Sequence, residues 1–395
     1  MFSKTKEMFF LPDGMIYLDG NSLGPLPKAA CDHVSDMMRN QWGEMLITGW
    51  NKAGWMALST EIGDRIAGLI GAPKGSVMMG DTLSLKVYQA LAAALQLNPK
   101  RRVILSDNGN FPSDLYMADG LLRMLGPDYE LRAVDPEDVE NAMDEDVAVL
   151  MLTEVDYRTG RLHDMKGLTK LAHEKGIVTV WDLAHTAGAT PVDLTGANAD
   201  FAVGCTYKYL NGGPGARAFI YVSPRLIEQV RPALSGWLGH EAPFAFDLDY
   251  RPGEGIERMR VGTPPVIALK SLEAALDVWD MVDMHEVRET SIKLCDLFIT
   301  EVEARCPALK LASPRNGAAR GSQVSFRFDE GFAAMQALIA RGVIGDFRAP
   351  DIMRFGFTPL YIDEDDVRRA VDILEDVITN NLWDDPAYKI RGRVT

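Results

Sequence analysis

Between residues 75 and 222 the chain alternates short apolar runs with longer segments of helical pattern, a rhythm that few folds accommodate. The runs are Ser76 to Met79, Arg102 to Ser106, Val147 to Leu152, Ile177 to Trp181, Phe201 to Val203 and Ala218 to Val222. They are apolar throughout, so both faces of each strand need cover, and helices on either side of one sheet supply it. An α/β fold follows. Several runs lead into polar residues, Ser106-Asp107, Thr153-Glu154, Asp182 and Thr206, which puts polar groups at the carboxyl edge where open α/β sheets bind ligands.

Beyond this region, about 264 to 300 has a helical pattern with few breakers, which predicts a helix carrying the chain from a large domain into a smaller α+β one. There Gln323 to Phe328 alternates like a half-buried strand. Val367, Val371, Leu374 and Ile378 mark one face of a helix starting near the acidic turn Asp363 to Asp366, and Gly317 to Gly321 reads as a loop. We expect a large domain over 51–270 and a small one assembled from 1–50 and 271–395.

With 395 residues, 47% of them hydrophobic, the chain can bury a large core. A formal charge of −15 sets it against phosphate-rich partners, so neither nucleic acid nor an anionic membrane is expected. Cys31, Cys205, Cys295 and Cys306 are scattered without paired spacing, which suggests reduced thiols and no metal site. The N-terminus reaches Pro12-Asp13-Gly14 too early for a signal-peptide core, and no apolar run approaches the roughly 20 residues of a spanning helix. A cytoplasmic location is the expectation.

Chemistry concentrates in Trp181-Asp182-Leu183-Ala184-His185 and Tyr207-Lys208-Tyr209-Leu210-Asn211-Gly212-Gly213. A carboxylate and a lysine, each just after a strand, are what pyridoxal phosphate (PLP) requires: an amine to hold its aldehyde and an anion to keep its ring nitrogen protonated. An Asp after a strand is often only the start of a loop, and a lone Lys is usually a surface charge. Lys208 sits between two tyrosines and before a Gly-rich turn, a poor place for a surface lysine.

Six strings extend this pair: Leu18 to Gly24 (LDGNSLG), Asn110 to Asp114 (NFPSD), Asp182 to His185, Tyr207 to Asn211, Gly236 to His240 (GWLGH) and Arg354 to Tyr361 (RFGFTPLY). In order and spacing the chain resembles the kynureninases nearly end to end. The resemblance implies a fold-type I PLP enzyme: a mostly parallel seven-stranded sheet flanked by helices in the large domain, a smaller α+β domain, and a homodimer with active sites at the subunit interface. The implied activity is hydrolytic cleavage of the β–γ carbon bond of L-kynurenine, or its 3-hydroxy form, to anthranilate, or 3-hydroxyanthranilate, and L-alanine.

By the same resemblance Lys208 carries the cofactor, Asp182 pairs with its ring nitrogen and Phe111 stacks on the ring; Phe111 would otherwise be a loop aromatic anchoring a turn. Leu83 and Ser84 begin a helix whose N-terminus suits a phosphate, although Asp81 or Thr82 as a plain N-cap explains the local sequence equally well. Asp114, Thr153, His185, Tyr207, Trp237 and Thr263 match cofactor contacts of the family, Trp237 and Thr263 from the partner subunit. Tyr207 is a candidate proton relay or simple packing, and His185 is equally a structural side chain.

Arg354 is the implied clamp for the substrate carboxylate, where a strand arginine would otherwise face solvent. Ser22 and Trp55 are the better pocket candidates, ahead of Trp42 and His240, while Trp42, Trp50 and Trp55 read equally well as packing of one amphipathic helix. Some relatives carry Asn at the position of Thr263, which leaves the choice between kynurenine and its 3-hydroxy form open. The rival readings are another fold-type I enzyme, such as a cysteine desulfurase or aminotransferase, and a PLP-binding relative without catalysis.

Overall fold

The computed structural model describes residues 2–390. Its main sheet has seven strands: β1 (Val77–Met79), β2 (Val103–Asp107), β3 (Glu130–Val134), β4 (Val147–Thr153), β5 (Val178–Asp182), β6 (Phe201–Gly204) and β7 (Phe219–Val222), in the order β1-β7-β6-β5-β4-β2-β3. Only β7 runs against its neighbours, so the sheet is mostly parallel, as expected of the fold.

Central β4 shows why continuous apolar runs were the right signal. All seven of its residues are buried. Leu150 and Leu152 face one apolar core, Val149 and Met151 the other, so each face is packed. The sequence runs missed β3. It is an edge strand with one neighbour, and Glu130 and Ala133 are exposed, so it carries no continuous apolar signal.

The second sheet joins β8 (Lys310–Leu311), β9 (Gln323–Arg327), β10 (Asp346–Arg348) and β11 (Ile352–Gly356) in the order β8-β9-β11-β10, all antiparallel. Contrary to the half-buried reading of 323–328, Gln323 and Ser325 are as buried as Val324 and Phe326. The polar face of β9 meets protein: Gln323 Nε2 donates to the Tyr157 carbonyl at 2.9 Å.

The single helix expected over 264–300 is two helices, Val266–Trp279 and Met284–Arg305. Asp283 ends the intervening turn by accepting from the amides of His285 and Glu286. The helix Glu364–Thr379 begins as predicted, with a capping box between Asp363 and Asp366, and buries Val367, Val371, Leu374 and Ile378.

The N-terminal segment belongs with the second sheet. Ile16–Tyr17 pairs in parallel with Val343–Ile344, and the Leu18 carbonyl accepts from the Gly356 amide at 2.7 Å. From there Gly24 passes against the lysine loop, its amide donating to the Tyr207 carbonyl at 2.8 Å. A Cβ at Gly24 would lie 2.4 Å from the Lys208 carbonyl oxygen. Among the described residues no helix is long and apolar enough to cross a membrane.

Candidate active site

The carboxyl ends of β4, β5 and β6 open onto a cavity of about 260 Å3. Thr153 ends β4, Asp182 ends β5 directly opposite it in the register, and Lys208 follows β6 by four residues. Leu83, Ser84, Phe111, Thr153, Asp182, His185, Tyr207 and Lys208 all line this one space. Asp114 lies beneath it, wholly buried in the first turn of α2 (Pro112–Leu125), the second of two helices that bound the cavity.

The first, α1 (Leu83–Leu97), presents its N-terminus. Thr82 occupies the N-cap position in extended conformation, but its side chain makes no capping hydrogen bond, so the first amides are left for another acceptor. Asp81 is not a cap either, since its carboxylate turns to Lys86 at 3.3 Å.

Phe111 is held from below. Its amide donates to Asn110 Oδ1 at 2.7 Å, Asn110 donates to Ser106 Oγ at 3.1 Å, and Ser106 donates to the Met151 carbonyl at 2.7 Å, which ties the loop to β4. Pro112 at the first helical position fixes the turn. The Phe111 ring meets Tyr157 edge-on, with centroids 5.1 Å apart. Tyr157 also lines the cavity, and no motif pointed to it. It lies four residues past Thr153, within reach of the strand-edge rule had that been followed further.

The electrostatics are those of charges held out of water. Burial pushes Asp182 up to about 6, with the Lys208 ammonium opposing, while Oδ1 accepts from the Ala184 amide at 2.9 Å. Burial, then the neighbouring Asp182 charge, raises Asp114 well above the ordinary carboxyl range, and both of its oxygens lack a hydrogen-bond partner. His185 is pressed well below the usual histidine range by burial and then by Lys208. It is therefore neutral: Lys208 Nζ lies 2.9 Å from Nε2, while Nδ1 has no partner. Cys205 and burial both raise the Tyr207 phenol, which stays protonated.

Arg354, on β11, is not solvent-facing; it is 1% exposed. Its Nε donates to Asp346 Oδ1 at 2.6 Å and Nη2 to Asp346 Oδ2 and, at 3.0 Å, to Ser22 Oγ, while Nη1 donates to the Tyr157 carbonyl. Burial works against the Asp346 charge, yet Arg354 offsets it and holds the carboxyl below its ordinary value. Arg348 Nη2 is 2.8 Å from the same carboxylate. Burial and the Asp346 charge push nearby Asp19 up to about 7. Asp346 and Arg348 were invisible in sequence, and Asp19 stood in the Leu18 to Gly24 string without a role. What joins Asp346 to Arg354 is the β10–β11 register, which sets the two residues opposite each other.

Arg354 and Ser22 do not line the Lys208 cavity themselves, and three further expected residues lie away from it in their own chain. Trp237 is exposed, edge-on to Phe244 at 5.7 Å, and Thr263 lines both a smaller cavity of about 140 Å3 and, with Trp42, Trp50 and Trp55, an open one of about 410 Å3. Trp55 is buried, donating to Gln41 Oε1 at 2.9 Å and edge-on to Trp50. Nor do Trp42, Trp50 and Trp55 share a helix: they fall in separate short turns, with Trp42 half exposed. His240 is occupied locally, accepting from the Ala242 amide and paired with the Asp249 carbonyl. Among the described residues no cluster of His, Cys, Asp and Glu is arranged to hold a metal.

Comparison with known proteins follows the same lines. Residues 287–374 match the model of the kynureninase C-terminal domain. A kynureninase of Pseudomonas fluorescens is 51% identical over 99% of this chain and 95% of its own, and one of Burkholderia pseudomallei strain 1106a is 50% identical over the same shares. Among solved structures, the apo cysteine desulfurase of Thermococcus onnurineus NA1 superposes with a TM-score of 0.79 at 18% identity, covering 96% of this chain and 98% of that one. A C-DES mutant with glycine covalently linked to its PLP cofactor gives 0.81 at 16% identity, covering 94% and 99%. These structures share the fold. The relatives at half identity share the sequence almost from end to end, and the chain belongs to the kynureninase family.

Proposed function

We propose that this protein is a PLP-dependent kynureninase that hydrolyses the β–γ carbon bond of L-kynurenine, with anthranilate and L-alanine as products. The observation that carries the reading is the cavity in which the Lys208 amine and the Asp182 carboxyl face one space at the carboxyl edge of the sheet. The residues there fit the cofactor. An uncapped helix N-terminus suits its phosphate, buried Asp114 oxygens and His185 Nδ1 lack partners, and an aromatic ring flanks the lysine. When bound, PLP serves as the sink for electrons released at the substrate carbon that bears the amino group.

The chain's own residues supply the rest. Lys208 would hold the cofactor through its amine and would serve as base for the substrate's α-proton; neutral His185 accepts a hydrogen bond from it at 2.9 Å and fixes its position. Asp182 would hold the ring nitrogen, and the proton Asp114 retains keeps a second negative charge out of the same pocket. The Leu83 amide and Ser84 hydroxyl would hold the phosphate, and Thr153 and Phe111 would bound the ring. Arg354 receives the substrate carboxylate in competition with Asp346, which has Arg348 to turn to. Water adds to the ketone and the carbon–carbon bond breaks toward the amino-acid side. Tyr207 or Lys208 then returns a proton to the carbon that becomes the alanine methyl.

Trp237 and Thr263 we assign to the cavity of a second copy, a homodimer reading supported by their placement away from their own. Trp55 and Ser22 complete the substrate pocket, Ser22 through its bond to Arg354. A cytoplasmic setting agrees with four cysteines that are all unpaired.

The cysteine desulfurase alternative needs an accessible thiol at the site. Cys205 lines the cavity, but it is buried, its thiol is raised by burial and it points to the Ala184 carbonyl at 3.9 Å; Cys295 and Cys306 are buried and pushed up to about 11, and Cys31 does not line the cavity. Incubation of the purified protein with L-kynurenine tests the proposal: anthranilate fluorescence with equimolar alanine is expected, and a keto acid in their place would overturn it. Lys208→Ala should lose the absorbance of lysine-bound cofactor and lower turnover by at least about 10^2 to 10^4-fold.

A further inference from the structure

Behind the turn that leads into α1, separate from the Lys208 cavity, lies a second space of about 140 Å3. Its wall carries three cations, Lys86, Arg217 and Arg260, two hydroxyl residues, Ser59 and Thr263, and one acid, Asp81.

The charges there do not cancel. Lys86, fully buried, is paired with Asp81 at 3.3 Å and donates to Gln89 Oε1 at 2.9 Å. Arg260, 7% exposed, is paired with Glu257 at 3.0 Å and donates to the Met56 carbonyl and the Thr60 hydroxyl. Nothing among the described residues accepts from the Arg217 guanidinium. Its Nε is buried without a partner, as is that of Arg260. A guanidinium held partly out of water with no acceptor, next to a wholly buried ammonium, costs free energy that an anion would offset.

We propose that this cavity binds a small tetrahedral oxyanion of the phosphate or sulfate class, gripped by Arg217, with Arg260 and Ser59 as further donors. The planar fork of arginine matches two oxygens of such an ion. The space is well below the roughly 300 Å3 at which pockets for larger organic ligands begin, so a single small ion is the fitting occupant. Gly80 and Asp81 form part of its wall and continue into the Thr82–Ser84 turn, with Asp81 in the left-handed region at φ 57. A bound ion would therefore stiffen the turn from behind. The proposal goes beyond the reaction assigned above.

Calorimetric titration of the cofactor-loaded enzyme with sodium sulfate, against sodium chloride at matched ionic strength, tests it. Expected is one sulfate per subunit, bound at least about tenfold more weakly by Arg217→Ala, the loss of one charge-assisted hydrogen-bonding group. Far-ultraviolet circular dichroism reports whether that variant is folded, and Arg217→Gln replaces it if it misfolds. No sulfate-specific heat in the wild type, or equal binding by the variant, would overturn the proposal. So would cofactor loss from the variant, because the arginine would then serve the cofactor's own phosphate. None of these outcomes touches kynurenine cleavage, which the anthranilate assay reads on its own.

Discussion

A carboxyl kept from water keeps its proton longer, and Glu154, 8% exposed just beyond β4, is pushed up to about 8 by that effect, with Thr186 offsetting little of it. Between its ordinary value of 4.5 and 8 the folded chain holds a proton that the unfolded chain has released. The contribution is therefore fully present below 4.5 and lost as pH rises through 8. Glu154→Gln should flatten the fall of melting temperature across that window, measured by thermal denaturation at a series of pH values. Arg354→Lys should raise KM for kynurenine by about 10 to 100-fold with a smaller effect on kcat, since a point charge replaces a fork worth about 1.5–3 kcal/mol. Lys208 and Asp182 were legible in sequence because each follows an apolar strand and sits among residues that make no sense on a surface. Tyr157 and Asp346 were not: one contributes its ring and carbonyl from an unmarked loop, and the other meets Arg354 only through strand pairing.

Whole elements differed in how openly they announced themselves. The inner strands and the helix Glu364–Thr379 were readable because burial and periodicity agree there, and a capping box marks where the helix begins. Edge strand β3 and the interruption at 280–283 were hidden, the first by partial exposure and the second because Asp283 was not weighed as a cap. Asp363 also receives Lys6 at 2.7 Å, joining this helix to the N-terminal segment. Asp363→Ala should cost about 1 kcal/mol through loss of the cap, read as a lower denaturant midpoint with turnover of the folded enzyme unchanged. For α1 the open N-terminus predicts that Ser84→Ala loses cofactor faster on dialysis, followed by absorbance.

For the molecule as a whole, the homodimer proposed above, in which Trp237 and Thr263 serve the cavity of a second copy, has a direct test. Lys208→Ala and Trp237→Ala subunits, each impaired alone, should regain activity when dissociated and reassociated together. Random pairing would restore about one quarter of the sites, because each mixed dimer holds one site free of both changes. Absence of any recovery in the anthranilate assay would place Trp237 elsewhere. Sequence pattern alone reached the sheet and its ligand edge; the partnership of the N-terminal segment with the second sheet lay beyond it, because two-residue strands such as Ile16–Tyr17 have no period to read.

That partnership sets an order of events during synthesis. Ser22 leaves the ribosome 324 residues before Asp346 and 332 before Arg354, which hold it. The sheet edge that carries Asp182 and Lys208 is complete once β7 has followed β6, whereas the Arg354 contact waits for β11. A chain cut between β7 and β10 would thus keep that edge and lose the side chains that grip Ser22.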